Sequence, residues 1–107
     1  MSKKIKYSKH LVKGKFYSVN GHPGLIVFKN DAKNRYLAVV TGTSPGRHKT
    51  KLKHSTERKV KTSYINNRPV LGKRKYFGSK ELIGMKIHKE DKPLVKAICK
   101  RKPIKLK

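Results

Sequence analysis

Apolar residues in this chain gather in short runs, rich in β-branched and aromatic side chains and bounded by Gly, Pro and Asn, a pattern of strands rather than helices. Lys15-Phe16-Tyr17-Ser18-Val19 predicts a first strand. Asn20-Gly21-His22-Pro23-Gly24 predicts the turn after it, because Asn-Gly accepts the positive φ of a tight hairpin at little steric cost. Gly24 to Lys29 then predicts a second strand, Asn30-Asp31-Ala32-Lys33-Asn34 a turn, and Arg35 to Thr43 a third and longest strand. Two of these strands are apolar at successive positions, so they are expected to lie centrally in a sheet covered on both faces.

From Gly42 to Lys61 the core-forming residues run out and the chain becomes Thr, Ser, Pro, Gly, His, Arg and Lys. A loop of this length without structure of its own is uncommon in a small domain and is usually functional or disordered; its cations point to function. Strands are expected again at Val60 to Asn66 and Pro69 to Leu71, followed by the basic and aromatic stretch Lys73 to Phe77. Leu82 to Ile87 predicts a further strand. A helix is expected from Asp91 to Lys100, with Asp91 as its cap, Pro93 in the first turn, Leu94, Val95 and Ile98 on one face, and Lys100 and Arg101 at the negative end of its dipole. Met1 to Lys13 and Lys100 to Lys107 are basic and without periodicity, and read as arms. The expected fold is therefore mainly β with a C-terminal helix: a small SH3-like β-barrel over residues 14–99, with basic tails at 1–13 and 100–107 and a long basic loop at 42–61.

Composition narrows the function. Of 107 residues, 35% are hydrophobic, enough for one modest core but not two. Thirty Lys and Arg stand against five Asp and Glu, a formal net charge of +25. Self-repulsion at this density calls for an anionic partner, and nucleic acid is the expected one, RNA favoured over DNA. The longest apolar runs, Leu25 to Phe28 and Tyr36 to Val40, fall far short of the roughly 20 residues that span a bilayer, so no membrane partner is expected. Cys99 is the lone cysteine, and no secretory signal precedes the domain, which points to a reducing, cytoplasmic setting.

The cations peak at Arg47-His48-Lys49, Lys51, Lys53-His54, Arg58-Lys59 and Lys73-Arg74-Lys75, and these are the candidate phosphate-binding residues. Tyr76, flanked by Arg74 and Lys75, is the aromatic best placed to stack on an unpaired base, whereas Phe16, Phe28 and Tyr36 sit in apolar runs that read as core. His22, between two strands, and Thr43-Ser44, where the third strand ends, form a candidate catalytic set for cleaving RNA, with a basic group moving protons and cations stabilising the phosphorane. The same residues also suit ordinary polar turns. Cys and His lack zinc-ligand spacing, and Asp31, Glu57, Glu81, Glu90 and Asp91 are scattered, so neither a metal nor a cofactor is expected.

The segment HPGLIVFKNDAKNRYLAVVTGTS resembles the core of the MazF/PemK superfamily of ribonuclease toxins: His22-Pro23, an apolar strand Leu25 to Phe28, Asn30-Asp31, a second apolar strand Tyr36 to Val40, and Thr43-Ser44. ELIGMKIHKEDKPLVKAI resembles the family's closing strand and helix, and YLAVVTGTSPGRHK is similar to the related ToxN-type nucleases. The resemblance implies an SH3-like barrel, a homodimer, metal-free cutting of single-stranded RNA and an acidic or RNA antitoxin. His22 would then stand where the family has its catalytic Arg, and Thr43 or Ser44 where it has its hydroxyl. Replacing Arg by His removes a permanent cation at the reacting phosphate, and +25 exceeds the usual charge of these toxins. Three readings follow: a nucleic-acid-binding protein on a MazF-like barrel, a metal-independent endoribonuclease, and a ribosomal or ribosome-associated protein.

Overall fold

Asn20 and Gly21 take φ values of 50° and 85°, so the chain reverses within two residues, as the Asn-Gly pair predicts. The structure, a computed structural model, describes residues 11–28 and 35–106. Its elements run β1 (Phe16–Val19), β2 (His22–Phe28), β3 (Arg35–Gly42), β4 (Lys49–Lys51), β5 (Tyr64–Asn66), β6 (Val70–Lys73), short 3₁₀ turns at Arg74–Tyr76 and Lys89–Asp91, helix α1 (Lys92–Cys99) and β7 (Ile104–Lys105). The second strand thus starts two residues before the expected Gly24 and takes in Pro23. Val19 and His22 close the turn as a hydrogen-bonded pair, so one residue on, at Pro23, the missing N–H points away from β1. The turn expected at residues 30–34 lies outside the described residues.

The sheet is mainly antiparallel. β2 and β3 occupy its centre, as their apolar runs predict, paired from Gly24 opposite Val40 to Phe28 opposite Leu37 with an irregularity between Ile26 and Phe28. The far edge of β3 is shared: Arg35 to Ala38 pair with β6, and Thr41 and Gly42 pair with β5, which carries β4 on its other side. β7 adds to β6 in parallel. The ladder among the described residues stays open where a closed barrel was expected. Among the described residues, an isolated bridge between Val19 and Phe77 and two backbone hydrogen bonds, Gly78 N–H to the Ser18 carbonyl and Leu82 N–H to the Phe16 carbonyl, both 2.7 Å, reach the free edge of β1.

Side chains alternate along the strands, so the single sheet buries a cluster on each face, where composition predicted one core. Tyr17, Val19, Ile26, Tyr36, Ala38, Val40, Val70 and Phe77 form one cluster with Leu11. Phe16, Leu25, Val39, Leu52 and Ile65 form the other, closed by Val95 and Ile98 of α1. Ile98 is wholly buried, a contribution of about 1.5–3 kcal/mol that ties the helix to the sheet. No helix among the described residues is long and apolar enough to cross a membrane.

Four expectations are corrected by packing. Residues 42–61 are a folded segment rather than a featureless loop. β4 lies inside them, Leu52 is buried in the second cluster, and Thr56 and Ser63 are buried against each other, with the Thr56 N–H donating to Ser63 Oγ at 3.0 Å. The C-terminal tail contains a strand, because Pro69 and Leu71 carbonyls accept the Ile104 and Leu106 N–H groups, each at 2.8 Å. Leu82 to Ile87 form no strand. Gly84 turns the chain at φ 88°, leaving Ile83 exposed while Leu82, Met85 and Ile87 lean on the second cluster. Finally, Leu11, assigned to the N-terminal arm, is buried, and the Val12 N–H beside it donates to the Tyr17 hydroxyl at 3.1 Å.

Candidate nucleic-acid interface

Arg47 and His48 form the turn into β4, and Asn66 to Arg68 form the exit from β5; antiparallel pairing of Lys49 with Asn66 puts the two turns side by side. The Asn67 N–H donates to the His48 carbonyl at 2.8 Å, and the Thr50 hydroxyl donates to Asn67 Oδ1. Between these turns lies a cleft of about 430 Å³, lined by Arg47, His48, Lys49, Asn66, Asn67, Arg68 and Ile104. None of these lining residues carries a carboxylate.

The C-terminal segment fixes its rim. Arg68 donates from Nε to the Lys102 carbonyl at 2.9 Å and from Nη2 to the Pro103 carbonyl at 3.3 Å, and Arg101 Nη1 donates to the Asn67 carbonyl at 3.0 Å. Neutral carbonyls orient these guanidinium groups without cancelling their charge. Lys49 Nζ donates to the Ser44 carbonyl at 3.2 Å, which ties the cleft to the end of β3.

His22 starts β2 while Thr43 and Ser44 follow the last residue of β3, so antiparallel pairing brings all three, exposed, to one end of the sheet. The Thr41 hydroxyl, 3.5 Å from the Pro23 carbonyl, spans the two strands there. Among the described residues no hydrogen bond joins the His22 ring to either hydroxyl.

The other predicted phosphate-binding residues are dispersed. Lys51 and Lys53 are exposed beyond the cleft, and Arg58 and Lys59 occupy a separate turn. Lys73 is exposed at the end of β6. Arg74 Nη1 is drawn into the fold, donating to the Phe77 and Gly78 carbonyls at 3.0 and 3.2 Å. Tyr76, the expected stacking residue, packs half-buried against the first cluster with Lys75 Nζ 5.5 Å from its ring centre. His54 Nε2 lies 2.9 Å from Glu90 Oε1; this hydrogen bond and the His54 charge hold the Glu90 carboxyl below its ordinary range. The cleft is also lined by Asn66, Asn67 and Arg68, with Arg101 bonded to the Asn67 carbonyl beside it, and the sequence pattern singled out none of the four as a binding residue. The polar triplet Asn66-Asn67-Arg68 between two apolar stretches was the signal for three of them.

Comparison with protein-family models, curated proteins and solved structures finds no match to this chain.

Proposed function

We infer that this protein binds the phosphate backbone of single-stranded nucleic acid, RNA in preference to DNA, through the cleft between the Arg47–His48 and Asn66–Arg68 turns. The observation that carries the reading is a cleft with Arg47, Lys49 and Arg68 around it and no acid in its lining, in a chain of net charge +25. Phosphates held there would displace counterions, while the Asn66 and Asn67 amides offer donors and acceptors to base edges. A space of about 430 Å³ suits an unstacked nucleotide better than a duplex, which favours single strands. We propose that the scaffold is an SH3-like barrel whose ladder is left open: β1, β2 and β3 form a meander, β6 pairs with β3 after the β4–β5 hairpin, a 3₁₀ turn follows, and Phe77 bridges back to Val19 at the edge of β1. Titration of labelled single-stranded RNA, single-stranded DNA and duplex DNA across a salt series tests the reading. Affinity for RNA is expected to fall with a log–log slope of several units, at about 0.7 per neutralised phosphate. A flat dependence overturns it.

A second reading, the metal-independent endoribonuclease, draws on the shared location of His22, Thr43 and Ser44 beside Lys49. Cleavage there would need His22 to take the proton of the attacking hydroxyl and return it to the leaving oxygen as the second P–O bond breaks, a Thr43 or Ser44 hydroxyl to bond a phosphate oxygen, and Lys49 to offset the added charge. RNA incubated with excess protein in EDTA should then be cut, and His22→Ala should abolish the cutting. Intact RNA rejects this reading and leaves the binding reading standing.

A further inference from the structure

His54, His88 and Glu90 come together away from the cleft, from segments far apart in sequence. One ligand atom from each lies within 4.8 Å of the others. The two imidazoles stack with ring centres 3.6 Å apart and planes 20° apart, and His54 Nε2 is 2.9 Å from Glu90 Oε1. Both sides of the cluster are anchored from beneath. His88 caps the 3₁₀ turn that carries Glu90, its Nδ1 accepting the Glu90 N–H at 3.0 Å. Asp91, the next residue and buried, accepts the Lys53 and His54 N–H groups, so the His54 segment is fastened to the same turn.

In a chain with five acids and thirty Lys and Arg, two adjacent acids placed beside two histidines make a local exception to the prevailing charge. Two nitrogens and one carboxylate oxygen are the donor set of a borderline divalent transition metal, zinc above all, and a poor one for magnesium or calcium. We propose that His54, His88 and Glu90 form a surface zinc-binding site that clamps the segment after β4 to the entrance of α1.

Binding has a defined proton and geometric balance. His54 binds as a neutral imidazole, so the proton on Nε2 is exchanged through solvent for one on Nδ1, and Glu90 turns to the metal as its carboxylate. His88 exchanges its hydrogen bond with the Glu90 N–H for the metal, and at this surface position water satisfies the freed donor. The stacked rings must rotate about their Cβ–Cγ bonds, because an imidazole lone pair lies in the ring plane and parallel planes share no ligand point. Water completes the coordination shell, which places the site among moderate-affinity ones.

The test is calorimetric titration of the nucleic-acid-free, metal-free protein with zinc chloride, then magnesium chloride, at neutral pH. One equivalent of zinc is expected to bind with a dissociation constant near the micromolar range, with no magnesium uptake. His54→Gln and His88→Gln are each expected to weaken zinc by about tenfold or more. The His22→Gln, His48→Gln double variant, changed only outside the cluster, should bind zinc as the unaltered protein does. Far-UV circular dichroism confirms that each variant folds. Absence of zinc binding at about 100 μM, or binding that survives the combined His54→Gln, His88→Gln variant, overturns the proposal.

Discussion

The Asp91 carboxylate holds the backbone of His54. Oδ2 accepts the His54 N–H at 3.0 Å and Oδ1 accepts the neighbouring Lys53 N–H at 2.9 Å, with Asp91 only 3% exposed. Asp91 does occupy the N-cap position of α1, as its place before Pro93 predicts, but its side chain makes no capping bond to the helix. It serves instead as the bolt between the helix entrance and the basic segment that follows β4.

Removing that bolt strands two N–H donors. Asp91→Ala is expected to destabilise the fold by about 2–3 kcal/mol, since hydrogen bonds to a charged acceptor are among the stronger ones. Asp91→Asn keeps one acceptor but sets an NH₂ against the second donor, so it should fall between wild type and Asp91→Ala. Urea unfolding midpoints measure both, and equal stability of all three proteins would contradict the role.

Gly72 leaves room for the Leu106 side chain, which follows the C-terminal strand paired with β6. A Cβ added there would meet Leu106 Cδ1 at 2.8 Å and Leu106 Cβ at 2.9 Å, closer than packed atoms approach. Gly72→Ala is expected to cost about 1–3 kcal/mol and to loosen the β6–β7 pairing. Leu106→Ala should relieve part of that cost, so the double variant is less destabilised than the sum of the two single ones. Thermal unfolding of the four proteins checks the sign of the coupling.

The proposed interface predicts which cations count in binding. Arg47→Ala with Lys49→Ala should lower the salt slope for single-stranded RNA by about 0.7 for each phosphate left without its cation. Arg58→Ala with Lys59→Ala, in a turn outside the cleft, should change it less. A larger effect from the second pair, in matched titrations, would move the binding surface.

Cys99 lines an apolar groove of about 640 Å³, whose floor includes Leu25, Ile87 and Val95 and whose lysines include Lys92 and Lys96. Burial pushes its thiol above the ordinary cysteine value. Thiolate is the reacting form, so a thiol reagent at neutral pH should modify the folded protein more slowly than the urea-unfolded chain, with the rate profile displaced to higher pH. Equal rates in the two states would refute this environment.

Local chemistry was legible along the chain. Short apolar runs marked β1 to β3, Asn20-Gly21 marked the reversal between the first two strands, and Val95 and Ile98 marked the buried face of α1, because periodicity and turn preference act over a few neighbours. The excess of cations, read from composition alone, is the ground on which an anionic partner is proposed. Tertiary pairing decided the rest. Arg68 lined the cleft, and Arg101 bonded the Asn67 carbonyl beside it, only when β5 lay beside β4 and the C-terminal segment added to β6, while the Tyr76 ring packed in part against the first cluster. His54 stands far along the chain from His88 and Glu90, and buried Asp91 joined their segments. Meetings of that kind depend on strand order and buried hydrogen bonds between distant residues, which no local pattern of side chains encodes.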